Sequence, residues 1–208
     1  MTPYEIDLEL GKEYKVNTTK GKIIELLRST ERPFIESLIN HMENNGFFTA
    51  PCSSQFHLCK DGGLSEHSLN VFNMMHSTAA DTGFLFRKGN VDKIEDSIII
   101  SALLHDLGKM GQFGKPQYTE NYLVSGVRSS KKPFETNKTL LSVPHEIRSI
   151  QIASQYIELT EEESFAILHH NGMYSALKYE LQGKETPLQM LLHFSDMWCS
   201  RVIEKEVK

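Results

Sequence analysis

The stretch Asp96-Ser-Ile-Ile-Ile-Ser-Ala-Leu-Leu-His-Asp-Leu-Gly-Lys109 decides how this 208-residue chain is read. From Ile98 to Leu104 it is apolar except for Ser101, and two ionisable residues, His105 and Asp106, close the run at once. Asp92, Glu95 and Asp96 stand in the first turns, where carboxylates favour the positive end of a helix dipole. The pattern predicts a central core helix opening after Asn90. Burying an ionisable group without a partner is expensive, so the polar end of this helix needs one.

Working outward, the same periodicity predicts helices along most of the chain. Residues 1–18 read as extended or irregular. Thr18 or Thr19 then caps a helix carrying Ile23, Ile24, Leu26 and Leu27, and a second runs from Glu31 to Asn45, ended by Gly46. After Gly62-Gly63, a mostly buried helix from Ser65 to Ala80 carries Leu69, Val71, Phe72, Met74 and Met75. Gly108 to Pro144 is a long connection rich in Gly, Ser, Lys and Pro, with Tyr118 to Val124 as a short hairpin. Such connections in compact domains are commonly functional, and this one is read as the rim of an active site. Three helices follow: His145 to Ile157 with Pro144 at its start, Glu161 to His170 capped by Thr160, and Pro187 to Glu206. The fold class is all-α, a helical bundle. With no repeat or linker, residues 1–208 form a single domain, in which 1–50 are an N-terminal helical extension and 51–208 the core.

Composition narrows the function classes. Twenty-two basic against 27 acidic residues give a net charge of −5, which supplies no general pull toward duplex nucleic acid. Cys52, Cys59 and Cys199 are too few for a disulfide framework and lack the spacing of a zinc ribbon, which fits a reducing compartment. The start carries acidic residues where an export signal needs basic ones, and no apolar run approaches the roughly 20 residues of a membrane span. A cytoplasmic protein with no membrane partner is expected.

Two further positions break apolar runs as His105 and Asp106 do. They are His67 on the Met-rich helix and Asp196 within Met190-Leu-Leu-His-Phe-Ser-Asp-Met-Trp198, a context that also implies a buried Trp198. Any one of these alone reads as a satisfied core histidine or a capping carboxylate. Together they point to a divalent metal, since imidazoles and carboxylates are its ligands and the ion neutralises buried carboxylates. Further candidates are His145, opening a helix, and His169-His170, closing another. Adjacent helical residues point about 100° apart, so one of this pair faces the metal and the other meets substrate or supporting groups. His41, His76 and His193 are assigned to structure. A phosphate loop fails at Lys109 and Pro116, a zinc-protease helix fails at Ser149, and no nucleophile elbow surrounds Ser125.

Gly62-Gly-Leu-Ser-Glu-His67, Ala102-Leu-Leu-His-Asp-Leu-Gly-Lys109, His145, His169-His170 and Asp196 resemble the ordered ligand series of the HD-domain metal-dependent phosphohydrolase superfamily, over about residues 57 to 201. The resemblance implies that His67, His105, Asp106 and Asp196 hold one metal, and that Asp106 bridges to a second held by His145 and His169. It implies two divalent transition metal ions, manganese, iron, cobalt or zinc, that activate water for attack on a phosphoester. Asp106 and Lys109 are the catalytic candidates, Lys109 as a point charge on the phosphate. His57, Lys109, Lys115, Arg128 and His170 are the candidates for substrate binding. The likeness is closest to the HD domains of bacterial 3′-to-5′ exoribonucleases, but the residues ahead of the core read as helices rather than an oligonucleotide-binding barrel. A small nucleotide-like phosphoester is therefore the expected substrate. The alternatives are a 3′-to-5′ exonuclease on short single strands and an HD-fold di-iron oxygenase, which shares the ligand order. The Gly-Tyr-Pro extension of the cyclic-dinucleotide phosphodiesterases is missing after His170.

Overall fold

A computed structural model describes residues 18–86 and 91–205. The expectation for residues 1–18 falls, apart from Thr18, outside them. Among the described residues are eight α-helices and one two-stranded sheet. α1 (Thr19–Ser29) starts where Thr18 Oγ1 accepts from the Gly21 N–H at 3.0 Å. α2 (Ile35–Asn44) begins four residues later than its apolar pattern implies. Pro33 disfavours helical geometry at Arg32, and Glu31 and Phe34 take positive φ of 49° and 65°, so the chain turns before the helix can start. The Arg28 guanidinium, bidentate on Glu36 at 2.5 and 2.9 Å, ties α1 to α2.

α3 (Gly63–Asp81) and α4 (Val91–Leu104) form the centre of the molecule, packed on each other and on α8 (Pro187–Trp198). Ile98, Ile99, Ile100, Ala102, Leu103 and Leu104 are all buried, as their unbroken apolar run requires. Each such large side chain contributes about 1.5–3 kcal/mol by leaving water. Ile23, Ile24, Leu27, Leu38 and Met42 of α1 and α2 join the same continuous core.

α5 (His145–Ala153) and α6 (Glu161–Leu168) end earlier than the periodicity suggests, at Ala153 rather than Ile157 and at Leu168 rather than His170. α6 opens with a reciprocal capping box between Thr160 and Glu163. The buried Glu163 carboxylate also takes Arg32 (2.5 and 3.2 Å) and the Ser97 hydroxyl (2.8 Å), joining α6, α4 and the α1–α2 turn. A short α7 (Lys178–Leu181) precedes α8. The chain leaves α8 through a wider π-helical turn, Cys199–Ile203, rather than continuing as an α-helix to residue 206.

The rim hairpin is longer than the Tyr118 to Val124 reading. β1 (Tyr118–Glu120) pairs antiparallel with β2 (Phe134–Thr136), in the register Tyr118 to Thr136 and Glu120 to Phe134. A smaller turn is nested inside, closed by the Tyr122–Arg128 bridge. Trp198 is 41% exposed rather than buried. It shares the outer stripe of α8 with Met190 and Phe194, spaced four residues apart, which an apolar run alone does not reveal.

Candidate metal centre

The centre forms where α4 stops. His105 and Asp106 follow its last turn, and Leu107–Met110 continue as a 3-10 turn that carries Lys109. α3 brings His67, α8 brings Asp196, and the first residue of α5 is His145. The approach of α5 needs Gly108, where a Cβ would lie 2.4 Å from the His145 carbonyl oxygen, and the Gly108 N–H donates to Ser149 Oγ at 2.8 Å.

Asp106 lies in the middle. Its Oδ2 is 3.4 Å from His105 Nε2 and 3.6 Å from His67 Nε2; its Oδ1 is 3.2 Å from His145 Nε2 and 3.6 Å from His170 Nε2. Asp196 Oδ1 is 3.2 Å from His67 Nε2. Ligand atoms of His67, His105 and Asp196 fall within 4.8 Å of one another, and so do those of His105, Asp106 and His170.

Neighbouring acceptors set the tautomers. His105 Nδ1–H donates to the Ala102 carbonyl and His170 Nδ1–H to the Ile167 carbonyl, both at 2.8 Å. His67 Nδ1–H donates to the Glu204 carboxylate at 2.9 Å. None of these acceptors can donate, so each Nδ1 carries a proton and each Nε2 faces inward. Such outer partners orient metal-ligating histidines. His67 Nε2, His105 Nε2 and Asp106 Oδ1 are buried with no hydrogen-bond partner. Imidazole nitrogens and carboxylate oxygens converging in this way, with three of the atoms unpartnered, are what a bound cation satisfies, and the residues fit one.

The protonation states agree with this donor set. Burial lowers His170 to about 3, with His105 adding to the effect, so its imidazole is neutral. Burial would raise Asp196 and Asp106, yet His67 holds the first, and Lys109 and His105 the second, below the usual carboxylate range. Both are ionised. Burial also works against charge on His67, but Cys52, Asp196 and Glu204 keep it well above the ordinary imidazole value. The surrounding carboxylates thus favour positive charge at this point: without a metal ion a proton on His67 Nε2, 3.2 Å from Asp196 Oδ1, supplies it, and that proton must leave before the nitrogen can bind a metal.

The sequence candidates divide into those at the cluster and those elsewhere. His67, His105, Asp106, His145 and Asp196 are brought together. His169, expected as a ligand, is not among them, and His170, expected to meet substrate, is. α6 ends at Leu168, and the turn after it sends the His169 ring against Phe165 with centroids 4.6 Å apart, while His170 points at Asp106. Lys109 Nζ lies 2.6 Å from Asp106 Oδ2. His57 Nε2 lies 3.3 Å from Cys52 Sγ, whose thiol burial pushes up to about 11, and His57 itself is lowered to about 4, by burial first. His57 Nε2 also lies 4.0 Å from Glu204 Oε2, and ligand atoms of Cys52, His57 and His67 fall within 4.8 Å of one another, so this pair flanks His67. Lys115 is spent on the Thr139 carbonyl (2.8 Å), and Arg128 on Glu120 (3.0 Å) and the Phe134 ring (4.6 Å). Neither contacts the cluster.

Two supporting residues escape sequence reasoning. Glu146, beside His145, accepts from Asn171 Nδ2 at 2.6 Å, and its position next to a candidate ligand was a usable signal. Glu204 buttresses His67 and accepts from Asn70, but lies in a polar tail with nothing to mark it.

An all-helical core with ionised carboxylates and inward-facing imidazoles defines a protein that holds divalent metal. A family model described as HD domain matches residues 64–196, which is more than half of the chain, and the chain belongs to that family. Membership implies metal-dependent phosphohydrolase activity in general. Comparison with curated proteins and with solved structures finds no match. Among the described residues, no helix is long and apolar enough to cross a membrane.

Proposed function

We propose that the protein hydrolyses a phosphoester of a small nucleotide-like substrate. The observation that carries this is the convergence of four histidine Nε2 atoms on Asp106, two of them buried and unpartnered. His67, His105, Asp106 and Asp196 would hold one ion, and Asp106, His145 and His170 a second. When bound, a divalent metal such as manganese, iron, cobalt or zinc supplies Lewis acidity that activates water and offsets phosphoryl charge.

The chain's own residues do the rest. Lys109, salt-bridged to Asp106 and 16% exposed, offers its ammonium to a phosphoryl oxygen as a point charge. His57, lowered to about 4 and so neutral at pH 7, would meet the substrate by hydrogen bonding rather than by ion pairing. Glu204 and Glu146 keep His67 and His145 oriented. Cys52, buried and protonated, is no nucleophile. A small substrate is favoured by the net charge of −5 and by the engagement of Lys115 and Arg128 with partners of their own. Residues 1–208 are proposed as one domain, and the three free thiols support a cytoplasmic location.

The test is manganese-supported turnover on mononucleotides, dinucleotides and single-stranded oligonucleotides of increasing length, at several salt concentrations. Mononucleotides should be the best substrates, and Asp106→Asn should reduce turnover at least tenfold, a change of about 1.4 kcal/mol in barrier. Activity that rises with length and collapses with salt would establish the exonuclease alternative instead. Dioxygen consumption by iron-loaded protein without phosphate release would overturn hydrolysis.

A further inference from the structure

We infer that the protein has a separate cavity for the nucleoside part of its substrate, sized and charged for a nucleoside monophosphate. This rests on the hydrolase reading above and extends it to the group that the metals do not touch.

A cavity of about 370 Å³ lies between the turn that follows α2, the 3-10 turn after Asp106, and the rim hairpin. Small-molecule pockets run from about 300 to 1,000 Å³, so this one has room for a single nucleoside. Lys109 lines it, and Lys109 Nζ also lies 2.6 Å from Asp106 Oδ2. Lys109 is the residue that the cavity shares with the surroundings of Asp106, so a phosphate held on its ammonium would lie near the candidate metal centre. No other lining residue is a cation, whereas Asp61 and Glu120 contribute carboxylates. One phosphate is accommodated at Lys109; a second or third within the cavity would find no counter-charge and would meet like charge.

The walls suit a flat ring bearing hydrogen-bond donors. In the hairpin register Tyr118 and Glu120 share one face with Phe134, since residues two apart on a strand point the same way and Phe134 is paired with Glu120. Tyr118, Glu120 and Phe134 of that face line the cavity, as does Pro51. Glu120 is already engaged by Arg128. The Asp61 carboxylate, the Gln117 amide and the Tyr118 hydroxyl have no protein partner among the described residues, and Tyr118 is half-buried. They are free to receive ribose hydroxyls or base amines. Burial also pushes the Tyr118 phenol up, so it stays protonated and able to donate.

The experiment compares kcat/KM for adenosine monophosphate with that for glycerol 2-phosphate, which has no ring, using manganese-loaded wild type, Tyr118→Ala and the exposed-site variant Asp61→Asn. Wild type should prefer the nucleotide, and should prefer it to adenosine triphosphate at least tenfold. The nucleotide-to-glycerol ratio should fall at least tenfold in Tyr118→Ala and about threefold in Asp61→Asn. Ratios within twofold of wild type in both variants, with unchanged melting temperatures, would overturn the assignment. Binding of adenosine, which carries no phosphate, is measured in parallel by calorimetry. Adenosine binding that weakens in Tyr118→Ala supports the cavity even if no phosphoester is cleaved, in which case only the hydrolase reading fails. Equal hydrolysis of both phosphoesters with no adenosine binding sinks the cavity and leaves hydrolysis standing.

Discussion

Replacing Glu163 by Ala tests whether the junction of α4, α6 and the α1–α2 turn is held as its geometry implies. The carboxylate is fully buried and accepts from Arg32, Ser97 Oγ and the Thr160 N–H, while Arg32 keeps 17% of its side chain exposed. Removing one member of a buried pair typically costs about 3–5 kcal/mol, because the other is left without compensation. Loss of the reciprocal cap overlaps with that figure rather than adding to it, and part of Arg32 can regain water. The expected cost is about 4 kcal/mol by urea unfolding followed by circular dichroism. At about 2–4 °C per kcal/mol for a chain of this size, the melting temperature should fall by about 8–16 °C. Glu163→Gln keeps the shape but only one acceptor oxygen, so it loses the acceptor for either Ser97 or Thr160 and sets an amide NH2 against the guanidinium; it should lie between Ala and wild type. The wild-type advantage should change little between 0.05 and 1 M salt, since buried charges are poorly screened. A loss below about 1 kcal/mol for Glu163→Ala, or a double-mutant cycle with Arg32→Ala showing no coupling, would refute the reasoning.

Other expectations follow from the site and its supports. His170→Ala should lower bound manganese by about one ion per chain by elemental analysis, and His169→Ala should leave the content unchanged; the reverse result would restore the reading in which His169 is the ligand. Gly108→Ala should cost about 1–3 kcal/mol, because the new methyl group meets the His145 carbonyl and the Arg148 Cβ, and α5 must shift. Its activity should fall with its melting temperature, and a fully stable, fully active variant would show that the two segments are not tightly docked. Burial lowers the His41 pKa from 6.5, so its neutral form stabilises the fold above pH 6.5 and that contribution is lost as pH falls through the lowered value. Wild type should accordingly lose more stability than His41→Gln between pH 7.5 and pH 5, measured by urea midpoints.

The readable part of this molecule is the part where polarity and periodicity conflict. His67, His105, Asp106 and Asp196 each interrupt an apolar helix, and burial makes such interruptions costly enough to be informative. That His170 rather than His169 turns toward Asp106 is not readable in the sequence, because it depends on α6 ending at Leu168, and helix ends are set by local turn geometry. Glu204 reaches His67 only because the π-helical turn after Trp198 redirects the chain, and no pattern in Arg201-Val-Ile-Glu-Lys announces it. The β1–β2 pairing joins segments more than a dozen residues apart, so periodicity found a hairpin but not its partner strand. Trp198 is exposed against its apolar context because an apolar run does not say which side of a helix meets solvent.

The buried Arg148 side chain donates to Gln112 Oε1 and to the Leu141 carbonyl, both at 2.8 Å, and so pins the two ends of the rim between them with a single guanidinium. Since the cost of closing a loop rises only slowly with its length, residues can be added or removed between those pins at little expense to the helices below. His145 and Lys109 stand outside the pinned interval. The rim should therefore serve as an exchangeable cassette: grafting a different loop between Gln112 and Leu141 should redirect which phosphoester is accepted while the candidate metal ligands keep their places.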